Sequence, residues 1–302
     1  MKYKVPFRRR AITAIVASVF ILGACGGQGS ETADTTSPEQ SLKIVSLSPT
    51  ATEMLYAIGA GNQVVAVDNL STFPAEVEPK VTKISAYEPS AEAILAYEPD
   101  VVLISNDMNK ITEQLTSADP DIKVWTGAAA ASLDDVYSQI NELGALTGRV
   151  DNAKEVVSSM KARIDAAIPK SGWGIVYPVY YELDNTFYSV TSNTFVGSLL
   201  SELGMKSIAD GAEEGNDYPQ LNAEAIVKAN PAIIFLADTK CCQQTAATVA
   251  ARAGWSGIDA VVNQNVVELD DDIASRWGPR IVDLIEQFAK AYSSVMEKAA
   301  GK

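Results

Sequence analysis

The sequence contains no histidine. That absence removes whole classes of chemistry. A Ser-His-Asp triad and an HExxH zinc site are both impossible. Capture of free zinc or manganese ordinarily recruits imidazole and is disfavoured for the same reason. Cysteine is nearly as scarce, with three in 302 residues. Cys241 and Cys242 are adjacent, which is not a usual metal-ligand spacing. They are either two free thiols or a strained vicinal disulfide, which an oxidising compartment would permit. The apolar run at residues 11–22 falls short of the ~20 residues that a membrane-spanning helix needs. Positive charge is also lacking. Five of the 24 basic groups lie in residues 1–24, leaving 19 against 38 acidic groups and a formal net charge of −19 beyond that point. Such a surface repels nucleic acid, so that partner is not expected.

What is present suits a globular protein: 47% hydrophobic and 21% charged residues, in a chain long enough for two domains or one large one. Residues 1–24 stand apart. Lys2, Lys4, Arg8, Arg9 and Arg10 precede the apolar run, and Leu22-Gly23-Ala24-Cys25 follows it. A basic start, a short apolar run and small residues before a cleavage point describe an export signal. LGAC resembles the bacterial lipobox, whose cysteine is lipidated and becomes the new N-terminus. The plainer alternative is a simple signal peptide with a chance cysteine. On the lipobox reading, residues 25–41 are a lipidated Cys25 and a polar tether, GGQGSETADTTSPEQS. The protein is then extracytoplasmic and held at the cell membrane by an N-terminal lipid.

Beyond the tether, strand and helix signals alternate. Residues 42–47 (LKIVSL), 63–67 (QVVAV), 100–105 (DVVLIS) and 122–125 (IKVW) read as buried strands. Thr50 and Glu53 stand at capping-box spacing for a helix ending at Gly59. Strands separated by helices of this length predict a parallel sheet. Residues 132–168 keep helical apolar spacing throughout, up to Pro169, with Gly144 and Gly148 as points of bending. At about 1.5 Å per residue such a helix extends roughly 55 Å, which predicts a connector joining two lobes. The expected architecture is α/β: an N-terminal lobe at 42–131, a connector helix at 132–168 and a C-terminal lobe at 169–302, each lobe holding a mainly parallel sheet flanked by helices. In the second lobe, residues 173–183, 186–190, 233–236 and 266–269 read as strands, and 195–203 and 279–292 as helices.

One unit occurs twice. AEAILAYEP at 91–99 returns as AEAIVKANP at 223–231, and an apolar strand follows each proline. Glu92 and Glu224 sit two residues after the caps Ser90 and Asn222. An acid in the first turn offsets the helix dipole by about 0.3–1 kcal/mol, which only weakly explains matching acids in both lobes. These units, with IVSLSPTATEML at 44–55, resemble the substrate-binding proteins of ABC importers for ferric siderophores and vitamin B12, the periplasmic binding proteins with a helical backbone. The resemblance covers about residues 42–295. It implies that each lobe offers one surface glutamate, Glu92 or Glu224, to arginines of a membrane permease dimer with its ATPase.

Ligands of open parallel sheets bind beyond the carboxyl ends of the strands. Asn69 and Leu70, Ala86 and Tyr87, Tyr218, and Asp238-Thr239-Lys240 are therefore candidates. So is DDDIASRWGPR at 270–280, which combines Asp272, Arg276, Trp277 and Arg280. Arginine and tryptophan grip large planar ligands by stacking and forked hydrogen bonds. The resemblance supports this: in B12-binding members an aspartate and an arginine precede a proline by seven and three residues, as Asp272 and Arg276 precede Pro279. Tyr218 fills an aromatic slot before the second repeated unit. Two other aromatic slots fall on Leu70 and on Ala86, beside Tyr87. Tyr181 and Tyr188 in VYYELDNTFY could be core or cleft.

The leading expectation is a lipoprotein that captures a pre-chelated metal complex, a cobalamin or a ferric siderophore, with no intrinsic cofactor and no protein ligand to the metal. Few cations are available to the cleft, which favours a near-neutral cargo, either a corrinoid or a hydroxamate siderophore. Haem is the alternative, since tyrosine can ligate its iron. A stiff connector predicts modest closure of the lobes. An enzyme on this scaffold would have to use Cys241 or Cys242 with Asp238 and has no histidine base. An interaction lipoprotein without a small ligand is the third expectation.

Overall fold

A computed structural model describes residues 41–168 and 174–300. The signal, Cys25 and the tether lie outside the described residues, as do Pro169 and Trp173. The first sheet is built from β1 (Ile44–Leu47), β2 (Val64–Val67), β3 (Val101–Ile104) and β4 (Lys123–Thr126), in the order β2-β1-β3-β4. The second uses β5 (Tyr177–Glu182), β6 (Met205–Ser207), β7 (Ile233–Leu236) and β8 (Val266–Glu268), in the order β6-β5-β7-β8. Every pairing is parallel. The two lobes therefore share one topology.

Helices cover both faces of each sheet, and the strands alternate accordingly. Ile44, Val101 and Leu103 face a core that runs on to Val179, Tyr181, Ile233 and Phe235 of the second lobe. Their neighbours Val45, Val102 and Ile104 face an outer core under α2 (Ala91–Leu95) and α3 (Ile111–Ala118). In the second lobe, Tyr180, Ile234 and Leu236 meet Trp255 beneath α7 (Ala223–Ala229), α8 (Ala246–Ala250) and α9 (Asp259–Val262). Tyr181 is thus a core residue, its hydroxyl 3.4 Å from the Ala274 carbonyl oxygen. Tyr188 is 40% exposed and makes an isolated bridge to Gln220. The expected strand at 186–190 does not form.

The repeated unit has the same backbone in both lobes. The Ser90 hydroxyl accepts from Ala93 N at 3.3 Å, and the Asn222 side chain accepts from Ala225 N at 2.8 Å. Each unit then reaches its proline through a left-handed residue, Glu98 or Asn230, both at φ 47°. β3 and β7 follow, occupying the same place in their sheets. Glu92 and Glu224 are both exposed.

The connector differs from its sequence reading. It is two helices, α4 (Leu133–Leu146) and α5 (Val150–Ala167), folded against each other. Gly148 breaks the helix at φ 69°, a conformation glycine adopts without penalty. Gly144 does not bend the chain. A Cβ there would lie 2.5 Å from Ala153 Cβ, so glycine lets the two helices approach. The roughly 55 Å span is therefore replaced by an 18-residue α5 of about 27 Å. α5 packs along α11 (Ile281–Ala300), where Arg163 pairs with Asp283 and Glu286 at 2.7 Å.

Candidate functional site

The first wall of the site is built at the carboxyl ends of β1, β2 and β3. Ser48, not Thr50, caps α1 (Pro49–Ala57): its hydroxyl accepts from Ala51 N at 3.2 Å, and Pro49 occupies the first turn. Glu53 is consequently not a capping acid. After β2, Asp68 is buried and its Oδ1 accepts the N–H groups of Leu70 and Ser71 at 2.8 and 2.7 Å. That turn leaves Leu70 40% exposed. Burial raises the Asp68 pKa, although those N–H groups pull the other way. A chain of hydroxyls lies beneath: Ser71 meets Thr52 at 3.0 Å, Thr52 donates to Ser46 at 2.9 Å, and Ser105 donates to Ser48 at 2.8 Å.

The second wall comes from α10 (Asp271–Ala274) and the segment after it. Asp271 accepts from Thr239 Oγ1, Lys240 N and Cys241 N at 2.8–3.0 Å, tying the loop after β7 to this helix. Arg276 is the hub. It donates to Glu53 Oε1 at 2.9 Å, to the Leu70 carbonyl at 3.0 Å and to Asp272 Oδ1 at 2.8 Å, joining both lobes. Arg280 donates to both oxygens of the same Glu53 carboxylate. Burial works against the Arg280 charge, but the bonds to Glu53 raise its pKa above the usual value. Glu53 itself is only 3% exposed, so one buried carboxylate holds two guanidinium groups.

Two adjoining chambers open on either side of Arg276 and Trp277. The first, about 340 Å³, includes Leu70, Tyr87, Asp272, Arg276 and Trp277. The second, about 240 Å³, includes Phe195, Tyr218, Arg276 and Trp277. Tyr87 and Tyr218 are 66% and 55% exposed, one at each lobe's rim. Trp277 is held by its Nε1, which donates to Gln139 of α4 at 3.0 Å.

Six of the eight expected ligand residues are thus brought together: Leu70, Tyr87, Tyr218, Asp272, Arg276 and Trp277. Two are not. Lys240 lines neither chamber; its Nζ is clamped between Asp270 at 2.7 Å and Asp272 at 2.9 Å. Arg280 faces the opposite side of Glu53, where its guanidinium lies 3.9 Å from the Phe73 ring centre. A four-residue step before α11 turns the two arginines to different sides of one carboxylate. Asp238 is also not a cleft residue. It is fully buried beside Glu182, which Arg252 grips with two hydrogen bonds of 2.6 Å. Its pKa is pushed up to about 7 by burial and by the neighbouring Glu182 charge. Cys241 and Cys242 carry no disulfide in this structure, and Cys241 is exposed.

Sequence reasoning missed Glu53, Asp68 and Gln139. A signal for Glu53 exists, since it is the one charged residue in the apolar stretch 44–55. An acid there requires a cation from elsewhere in the fold.

Among known families, the one described as periplasmic binding protein matches residues 44–273. The chain belongs to the periplasmic binding protein family. Its members are binding proteins rather than enzymes, and work outside the cytoplasm. The chain is 32% identical over 266 residues to the ABC transporter substrate-binding lipoprotein YvrC of Bacillus subtilis, covering 85% of this chain and 82% of that one. It is 29% identical over 258 residues to a cobalamin-binding protein of Halobacterium salinarum, covering 83% and 69%. Among solved structures, a possible iron-binding (periplasmic solute-binding) protein of Staphylococcus epidermidis superposes with a TM-score of 0.68 at 26% identity, covering 82% and 97%. The expected two-lobed α/β architecture of parallel sheets is therefore the family fold.

Proposed function

We propose that this binding protein captures a near-neutral metal chelate between its lobes and delivers it to an ABC importer. A cobalamin or another corrinoid is the preferred cargo and a ferric hydroxamate siderophore the next. One observation carries the reading: the cleft pairs exposed apolar and aromatic groups from both lobes with polar groups that already neutralise one another. Arg276, the cation that lines both chambers, is balanced by Glu53 and Asp272. Stacking surfaces with little uncompensated charge suit a bulky chelate whose metal is already fully ligated. A triply anionic catecholate would lack counter-charges there. The relative in Halobacterium, a cobalamin-binding protein, agrees with this preference. The cargo brings its own metal ligands, so the protein needs no resident cofactor.

Glu92 and Glu224 serve as docking points for the permease. Both are exposed at the second position of capped helices in equivalent places of two like lobes, an arrangement suited to a partner of two-fold symmetry. Cys25 carries the lipid that keeps the protein at the membrane, as the word lipoprotein in the name of the Bacillus relative suggests. Calorimetric titration of the full chain with cyanocobalamin, a ferric hydroxamate and haemin tests the cargo. One-to-one cobalamin binding that weakens in Tyr87→Ala and Tyr218→Ala supports the corrinoid. Binding of haemin alone would replace it with a tyrosine-ligated iron. Reversing both glutamates should abolish uptake and leave cargo affinity intact; normal uptake by that double variant refutes the docking role.

A further inference from the structure

A separate cavity of about 730 Å³ lies across the Glu53 ion pair from the cleft. α1 contributes Tyr56, and the loop after β2 contributes Phe73 and Lys80. The turn between α4 and α5 contributes Arg149, and Arg280 closes one side. None of these residues lines either chamber of the cleft.

Of the five arginines among the described residues, Arg163, Arg252, Arg276 and Arg280 are ion-paired and Arg149 is not. The Arg149 Nε is buried without a hydrogen-bond partner, and so is the Tyr56 hydroxyl. Guanidinium can only donate, and a tyrosine hydroxyl can donate as well. Two unmet donors thus lie on residues that line one cavity, and burying them unmet is costly. Lys80 adds a third positive group: its Nζ donates to the Gly61 carbonyl at 2.6 Å and lies 5.5 Å from the Tyr56 ring centre. Glu76 also lines the cavity, and Glu53 is already matched by two arginines. The remaining wall is aromatic. Phe73 is 40% exposed, and Gly61 lies so close to Tyr56 that a Cβ would meet its ring at 2.7 Å.

We propose that this cavity is a second ligand site, for a small aromatic carboxylate. The carboxylate accepts from Arg149 and from the Tyr56 hydroxyl, and the ring lies against Phe73 and Tyr56. The guanidinium fork and the flat apolar wall match the two halves of such a molecule. Arg280 on this side and Arg276 in the cleft share Glu53, so an occupant here touches the same ion pair that positions the cargo site.

Equilibrium dialysis of the full chain against 2-naphthoate, with neutral 2-naphthamide as control, tests the site. Saturable one-to-one binding of naphthoate and weak binding of naphthamide are expected. Arg149→Gln should weaken naphthoate binding about tenfold or more, the worth of a charge-assisted hydrogen bond. Tyr56→Phe should weaken it several-fold without lowering thermal stability, because the hydroxyl lost has no partner in the protein. Tyr87→Ala and Tyr218→Ala, in the cleft, should leave it unchanged. Equal binding of acid and amide, undiminished binding in Arg149→Gln and Tyr56→Phe, loss of binding in the cleft variants, or no saturable binding would each overturn the proposal.

Discussion

Replacing Glu53 by glutamine should destabilise the protein substantially, because the residue neutralises two buried cations at once. The two arginines do not depend on it equally. Arg276 keeps the Leu70 carbonyl and Asp272 as partners after the change. Arg280 keeps the face of Phe73 and the more distant charges of Asp270 and Asp272 but loses its ion-pair partner, and its side chain is 17% exposed. The loss is therefore mainly one uncompensated buried charge. Breaking a buried pair from one side costs about 3–5 kcal/mol, and the partners left to Arg276 place this case near the lower end. At about 2–4 °C per kcal/mol for a domain of this size, the Tm should fall by about 6–12 °C. The continuous core between the lobes predicts a single transition. Calorimetry measures both. Adding Arg280→Met to Glu53→Gln should recover at least half the loss, since it removes the orphaned charge. A Tm for Glu53→Gln within about 2 °C of wild type would refute the reasoning: the guanidinium groups would then be solvated and the two lobes not latched through Glu53.

The buried Asp238 should make stability depend on pH. Its folded pKa is raised, so the folded state binds the proton more tightly than the unfolded chain, and stability falls as pH rises from about 4 through about 7. Urea unfolding at pH 5 and pH 8 should show that fall reduced in Asp238→Asn; an unchanged difference would remove Asp238 as its source. Tyr87→Ala and Tyr218→Ala should each cost about tenfold in cargo affinity with little change in Tm, because both rings are more than half exposed in the free protein. Gly144→Ala should cost about 1–3 kcal/mol by forcing α4 and α5 apart, whereas Gly148→Ala should cost through its left-handed backbone alone. Chemical denaturation of the pair separates crowding from strain, and a harmless Gly144→Ala would contradict the close packing.

Much of this protein follows from short-range pattern, which sequence carries directly. The apolar strands at 44–47 and 101–104, the caps Ser90 and Asn222, and the duplicated AEAI unit each depend on neighbours within a few residues. Topology follows too, because a helix between two buried strands enforces parallel pairing. Helical spacing runs unbroken through residues 132–168, so apolar period alone did not reveal the turn at Gly148; only packing of α4 on α5 fixes it. β6 has three residues and α8, α9 and α10 four or five each, lengths whose periodicity is indistinguishable from loop.

The cleft divides the same way. Leu70, Tyr87, Tyr218, Asp272, Arg276 and Trp277 follow strand ends or a local motif, and sequence located them. The sides taken by Arg276 and Arg280 depend on where α1 places Glu53, more than 220 residues away in the chain. Lys240 was drawn out of the cleft by Asp270 and Asp272, and Asp238 was sealed beneath it with Glu182 and Arg252. Sequence by itself determined which elements form, because backbone preference and apolar period act locally. Which charge meets which was decided by the tertiary structure alone, because ion pairs act between segments that only the fold brings together.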